Sequence, residues 1–167
     1  MMTELQEATY HVRDGTKLLT FEGVLLAHIS SRRPTAPRWT EMSLYRTAGG
    51  TYVYEKIGRS RVVHLEGCNR IVQPLPRFQD ARPGEDPDEG YEYCSCVPQE
   101  YDFTQLLSEE DRYSTAVSSS PTDIIDSLYK KKGTTRELPQ MAASLLEQAC
   151  AHDAQLRESI VTEEFID

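Results

Sequence analysis

The sequence predicts an α+β fold: an antiparallel sheet or partial barrel from the N-terminal half, covered on one side by C-terminal helices. Three observations carry this. Apolar, β-branched and aromatic residues recur in short runs as far as residue 64, divided by turn residues. Prolines and acidic residues then crowd 65–90. Beyond Ser120 the apolar spacing becomes the three and four of a helix. Strands first and helices last favour α+β over a doubly wound parallel sheet.

The elements follow in chain order. Residues 8–13 form a strand, and Asp14-Gly15 is a two-residue hairpin signal. Two apolar runs, 17–22 and 24–31, flank Gly23, which marks a bulge or bend. The segment SRRPTAPR (31–38) is a loop, because its two prolines and its charge oppose a central strand. Residues 39–47 and 51–57 make the clearest hairpin, around Ala48-Gly49-Gly50. Gly58 opens a turn before a short strand at 61–64. Pro74, Pro76, Pro83 and Pro87, with acidic residues from Glu85 to Glu89, mark an exposed loop. The stretch 91–97 (YEYCSCV) is a strand returning to the sheet, and 104–112 a weak helix.

Ser120 is an N-cap, with Pro121 first in the helix and Asp123 third. Lys130, Lys131 and Lys132 suit that helix's C-terminal dipole, and Gly133 its left-handed cap. A second helix is expected over 139–159, with Met141, Leu145, Ala149, His152, Leu156 and Ile160 as its stripe. The single domain thus divides into a β-rich core sheet (1–64), a proline-rich acidic excursion (65–90), and a returning strand with acidic helices (91–167).

Charge is polarised. Residues 1–77 hold 11 Lys/Arg against 7 Asp/Glu, and residues 78–167 hold 7 against 20. The net charge is -9. The first half can approach an anion, whereas the second repels nucleic acid and acidic lipid. No apolar run reaches the roughly 18 residues of a spanning helix, and the N-terminal stretch lacks the apolar segment of a signal peptide. A cytoplasmic protein with no membrane partner and with reduced cysteines is the expectation. No phosphate-binding glycine loop, dinucleotide fingerprint, HExxH, nucleophile elbow or EF-hand pattern is present, so the standard catalytic routes have no support.

Two constellations remain. His64, Cys68, Cys94 and Cys96 form a His-x3-Cys pair and a Cys-x-Cys pair with 25 residues between them. Zinc takes four nitrogen and sulfur ligands tetrahedrally, and two close pairs joined by a loop is its usual topology. Four protein ligands leave no open position, so such a zinc is structural. The Cys-x-Cys spacing is shorter than the usual Cys-x2-Cys, and in a straight strand its sulfurs need a bend to converge. The plainer alternative is four unrelated residues and no cofactor, since reduced cysteine is a common small core residue.

The second constellation is an aromatic, basic hairpin. With Gly49-Gly50 as the turn centre, Thr47 faces Tyr52 and Tyr45 faces Tyr54. One face then holds Trp39, Tyr45, Tyr52, Tyr54 and Lys56, with Arg59 and Arg61 just beyond. Met42, Leu44 and Val53 fall on the other, core-facing side. Rings and guanidinium groups on one surface suit protein interfaces, and equally suit stacked bases of single-stranded nucleic acid.

The sequence therefore favours a small non-enzymatic binding or regulatory protein that acts through a protein–protein surface, an acidic inhibitor of a nucleic-acid-processing partner being one form. The alternatives are a single-stranded nucleic-acid or nucleotide-binding module and an enzyme of unknown type. Nothing in the sequence specifies an oligomeric state.

Overall fold

The computed structural model describes residues 4–70, 77–78 and 91–161. Its strands are β1 (Ala8–Asp14), β2 (Lys17–Ser30), β3 (Arg38–Thr47), β4 (Tyr52–Ser60), β5 (Val62–Leu65), β6 (Glu92–Tyr93), β7 (Leu106–Ser108), β8 (Arg112–Ser118), β9 (Lys130–Lys132) and β10 (Thr135–Glu137). Its helices are α1 (Pro121–Ser127), α2 (Gln140–Cys150) and α3 (Ala154–Val161). A curled antiparallel sheet in the order β1-β2-β3-β4-β8, with the helices in the C-terminal half, makes the fold α+β as expected. The proline and acidic positions 74, 76, 83 and 85–89 lie outside the described residues.

The chain packs as two compact units that do not follow chain order. The first is Met1–Ser31, Glu41–Ile57 and Tyr113–Asp167, and the second is Arg32–Thr40 and Gly58–Arg112.

In the first unit the sheet buries both faces. Leu26, Met42, Leu44, Tyr52 and Tyr54 pack with Ile124, Leu128, Ala142, Leu145, Leu146, Ala149 and Leu156 from the helical segments. Val12, Tyr45 and Val53 form a separate cluster with Tyr10, Leu19, Phe21 and Leu25 around it. This corrects the expected hairpin faces. The Thr47 N–H donates to the Thr51 carbonyl at 2.8 Å, so Ala48, Gly49 and Gly50 form a three-residue loop, with Gly50 at φ 85°. Tyr45 therefore stands with Val53, while Tyr52 and Tyr54 share the face of Met42 and Leu44. Centring the turn one residue later inverts one strand's faces relative to the other's, because the side-chain period is two.

Several boundaries also move. The β1–β2 turn is Gly15-Thr16, since Asp14 pairs with Lys17. β2 runs unbroken through Gly23, and its irregularity lies between Leu25 and Ala27. Gly23 has a different role from the bend expected of it. A Cβ there would lie 2.2 Å from the Arg46 carbonyl oxygen, so glycine allows the close approach of β3.

The Ser120 cap forms as expected: its side chain accepts the Asp123 N–H at 3.3 Å. The lysine run does not extend this helix. Lys130–Lys132 is a strand paired with β10, and Gly133, at φ 60°, serves the hairpin turn between them. The expected long second helix breaks into α2 and α3, with exposed His152 in the connection. The buried Asp153 carboxylate accepts the Leu156 N–H at 3.0 Å and caps the new start. It also accepts the Tyr52 hydroxyl at 2.9 Å and faces the Arg46 guanidinium at 3.4 Å.

The second unit holds a three-stranded sheet in the order β6-β5-β7, parallel between β5 and β6 and antiparallel between β5 and β7. Val63, Phe78 and Leu106 are its buried apolar cluster. Residues 104–112 form no α-helix. A single 3-10 turn at Phe103–Gln105 leads into β7, because Leu106 is drawn into the small core beside β5. The expected strand at 91–97 shortens to β6 and joins this small sheet rather than the five-stranded one. Gly58 opens no turn, since β4 continues to Ser60.

Candidate metal centre

Both His/Cys pairs are shaped by turns at strand ends. His64 lies in β5. Just beyond it, the Cys68 N–H donates to the Leu65 carbonyl at 3.1 Å, and Gly67 takes φ 90°. A tight turn with positive φ at its third residue needs glycine there. It folds Cys68 back toward His64. On the other side of the site, the parallel pairing Val63 with Tyr93 brings the end of β6 alongside His64, and the Cys94 N–H donates to the Val63 carbonyl at 2.8 Å. The Val97 N–H then donates to the Cys94 carbonyl at 2.9 Å. Cys94-Ser95-Cys96 thus sits in a turn rather than a straight strand, which supplies the bend its short spacing requires.

The result is a convergent set. One ligand atom from each of His64, Cys68, Cys94 and Cys96 lies within 4.8 Å of every other. His64 is 2 % exposed. Its Nε2 bonds to the Glu109 carboxylate at 2.9 Å. Its Nδ1 is buried with no hydrogen-bond partner among the described residues. A buried orphan nitrogen is costly unless something else engages it, and here it belongs to the group that completes a donor cluster.

The sulfurs sit in a field of backbone donors. The Arg70 N–H lowers the Cys68 thiol below its usual range. The Cys96 N–H, with help from His64, pulls Cys94 down to about 6. Cys96 goes the other way, to about 11, because burial and the neighbouring thiols oppose another negative charge. Its sulfur faces the Leu65 N–H at 3.4 Å. Sulfurs this close repel as thiolates until a cation joins them, so the arrangement suits metal binding with release of thiol protons. For His64, burial favours the neutral ring, but Glu109 and the thiols outweigh it and raise its basicity.

Sequence reasoning missed the residues behind His64. Glu109 sits just past β7. Its Oε2 accepts Arg38 Nε at 2.9 Å and the Ser60 hydroxyl at 2.6 Å, and its Oε1 accepts Arg38 Nη2 at 2.5 Å. Arg38 above all, with Ser60 and His64, holds the carboxyl down to about 2, against the opposing effect of burial. In the sequence Glu109-Glu110-Asp111 looks like any solvated acidic run, and 45 residues separate Glu109 from His64. No local signal marks it.

The aromatic hairpin residues do not form the expected open face. Tyr52 and Tyr54 are buried in one cluster and Tyr45 in another. Trp39, in the second unit, is buried, with the guanidinium groups of Arg32 and Arg61 at 5.0 and 5.2 Å from its ring. Arg61 is itself buried, Arg59 is paired with Asp111 at 2.8 Å, and Lys56 is half-buried. Among the described residues, the exposed rings are Tyr93, Tyr101 and Phe103, all in the second unit. Tyr93 meets Tyr101 at 5.7 Å between centroids, and Phe103 meets buried Phe78 at 5.6 Å. His11 and His28 bond to Thr20 and Ser43 respectively. No helix among the described residues is long and apolar enough to cross a membrane. In comparisons with known proteins, no family model, no curated protein and no solved structure matches this chain.

Proposed function

We propose that His64, Cys68, Cys94 and Cys96 hold one structural zinc ion, and that the protein so stabilised acts by binding a protein partner rather than by catalysis. The convergence of the four ligand atoms within 4.8 Å carries the zinc reading. Three thiols and an imidazole are a soft donor set that suits zinc and not calcium or magnesium. Four protein donors complete a tetrahedron and leave no position for a substrate. The ion closes the 25-residue connection between the pairs and ties β5 to the end of β6. Metal content of tag-free protein tests this, with one zinc per chain and loss of stability in chelator as the expected results. Sub-stoichiometric zinc with no destabilisation by chelator overturns it.

The binding role is supported by the exposed rings of Tyr93, Tyr101 and Phe103, interleaved with exposed Glu92, Glu100 and Asp102. Aromatic anchors with an acidic rim fit a basic protein surface, such as the nucleic-acid groove of an enzyme. Capture from host extract by wild-type protein and by a Tyr101→Ala/Phe103→Ala variant tests the reading. A basic protein retained by wild type, released by salt and lost from the variant is expected. Equal capture by both, or salt-sensitive retention of single-stranded oligonucleotide instead, overturns it.

A further inference from the structure

Resting on the zinc reading, we infer that Glu109 is the positioning residue of the metal centre: it sets the tautomer and ring orientation of His64, and Arg38 and Ser60 hold it in place. An ionised carboxylate can only accept hydrogen bonds. The 2.9 Å contact between Glu109 and His64 Nε2 therefore places the neutral ring's proton on Nε2. The lone pair is left on Nδ1, the buried nitrogen without a hydrogen-bond partner among the described residues. That is the tautomer a metal requires. A histidine ligand whose second nitrogen donates to a carboxylate is also the more basic ligand, and its ring is fixed before the metal arrives.

Three donors from two side chains support Glu109. The guanidinium fork of Arg38 binds both carboxylate oxygens, at 2.9 and 2.5 Å, and the Ser60 hydroxyl adds a third donor at 2.6 Å. Bidentate pairing fixes the carboxylate plane as well as its charge. Ser60 in turn accepts the Val62 N–H at 3.2 Å, which links this support to the start of β5, the strand that carries His64. The centre is thus a donor set of three cysteines and a histidine backed by a carboxylate, an arginine and a serine.

The test is a zinc-competition titration on the full chain, with cobalt(II) spectra as a second readout. The proteins are wild type, Glu109→Gln, Glu109→Ala and, as control, exposed Glu110→Gln. Loss of such a partner typically weakens metal affinity about 10–100-fold. Glu109→Gln is expected near the lower figure, because its amide oxygen still accepts from Nε2. Glu109→Ala is expected near the upper one, with altered ligand-field bands for bound cobalt, and Glu110→Gln at the wild-type value. Wild-type affinity and an unchanged cobalt spectrum in both Glu109 variants would overturn the assignment while leaving the zinc site standing. Equal destabilisation of metal-free and metal-bound protein by these variants would show a purely structural role and overturn it too. No metal bound by wild type defeats the zinc reading and this inference together. Should Glu109→Ala fail to fold, the near-isosteric Glu109→Gln decides.

Discussion

The two compact units achieve stability by different means. The first buries 13 described residues in one apolar cluster, with sheet and helices contributing side by side. Among its described residues the second has a cluster of three, Val63, Phe78 and Leu106, with half-buried Leu65, Tyr91 and Val97 against it and buried Trp39 and Val62 outside it. A described cluster of that size supplies less hydrophobic free energy than the first, and domains with small cores commonly add a metal or a disulfide. The second unit also carries the convergent His/Cys set and the charged support of Glu109. The contrast shows why the candidate chemistry and the thin core occur together: in the second unit, polar and metal-ligand bonds can take over the role that apolar packing has in the first.

The sharpest way to break this comparison is to disable the proposed metal centre. Cys94→Ser, or chelation of wild type, is expected to release amide protection in β5 and β7 and to leave α2 protected, as read by hydrogen exchange. Structural zinc contributes on the order of 10–16 kcal/mol of apparent binding free energy in small zinc modules near neutral pH, so this is the largest effect. Unchanged protection in β5 would refute the contrast. Next comes the opposite lesion. Leu145→Ala, at a position 0 % exposed, is expected to cost about 2–5 kcal/mol in urea unfolding of the first unit and to leave zinc stoichiometry unchanged.

A smaller, pH-dependent effect sharpens the picture of the first unit. Burial, with Asp153 adding its hydrogen bond and charge at Tyr52, raises Tyr52 and Tyr54 to about 12. The folded state therefore favours the neutral phenols. Their contribution is whole below the unfolded value near pH 10 and is lost as pH rises through about 12. Urea midpoints measured across that range should fall, and Tyr52→Phe should flatten the fall while lowering stability at neutral pH by about 1.5–3 kcal/mol, because the lost hydrogen bond goes to a buried carboxylate. An identical alkaline slope in the variant would count against this origin. The smallest effect expected is that of Ser120→Ala, about 1 kcal/mol or less, confined to the first unit and read from the same urea curves.

Much of the fold could be read from local chemistry. The Ser120-Pro121 helix start, the hairpin turns at Gly15 and at Gly49-Gly50 and the strand-rich first half rest on interactions within a few residues, and the structure contains them. The errors have a common form. One residue's difference in the position of the 48–50 loop put Tyr45 and Tyr52, expected on one face, on opposite faces. A carboxylate at Asp153, which caps α3 and receives Tyr52 from 101 residues away, split a helix whose apolar stripe looked continuous. The lysine run at 130–132 suited a helix end and formed a hairpin instead.

The donors of the candidate site followed the same division. Their identity and pairing, His-x3-Cys and Cys-x-Cys, are properties of the chain alone, because ligand chemistry belongs to side chains and close spacing places each pair near one point. Packing had to supply the rest. The parallel pairing of β6 with β5 joined the two pairs, a turn bent Cys94 toward Cys96, and Glu109 came up behind His64. Those contacts span tens of residues, and no short-range preference encodes them. They exist because burying Val63 and Leu106 in one small core aligns the strands that carry the site.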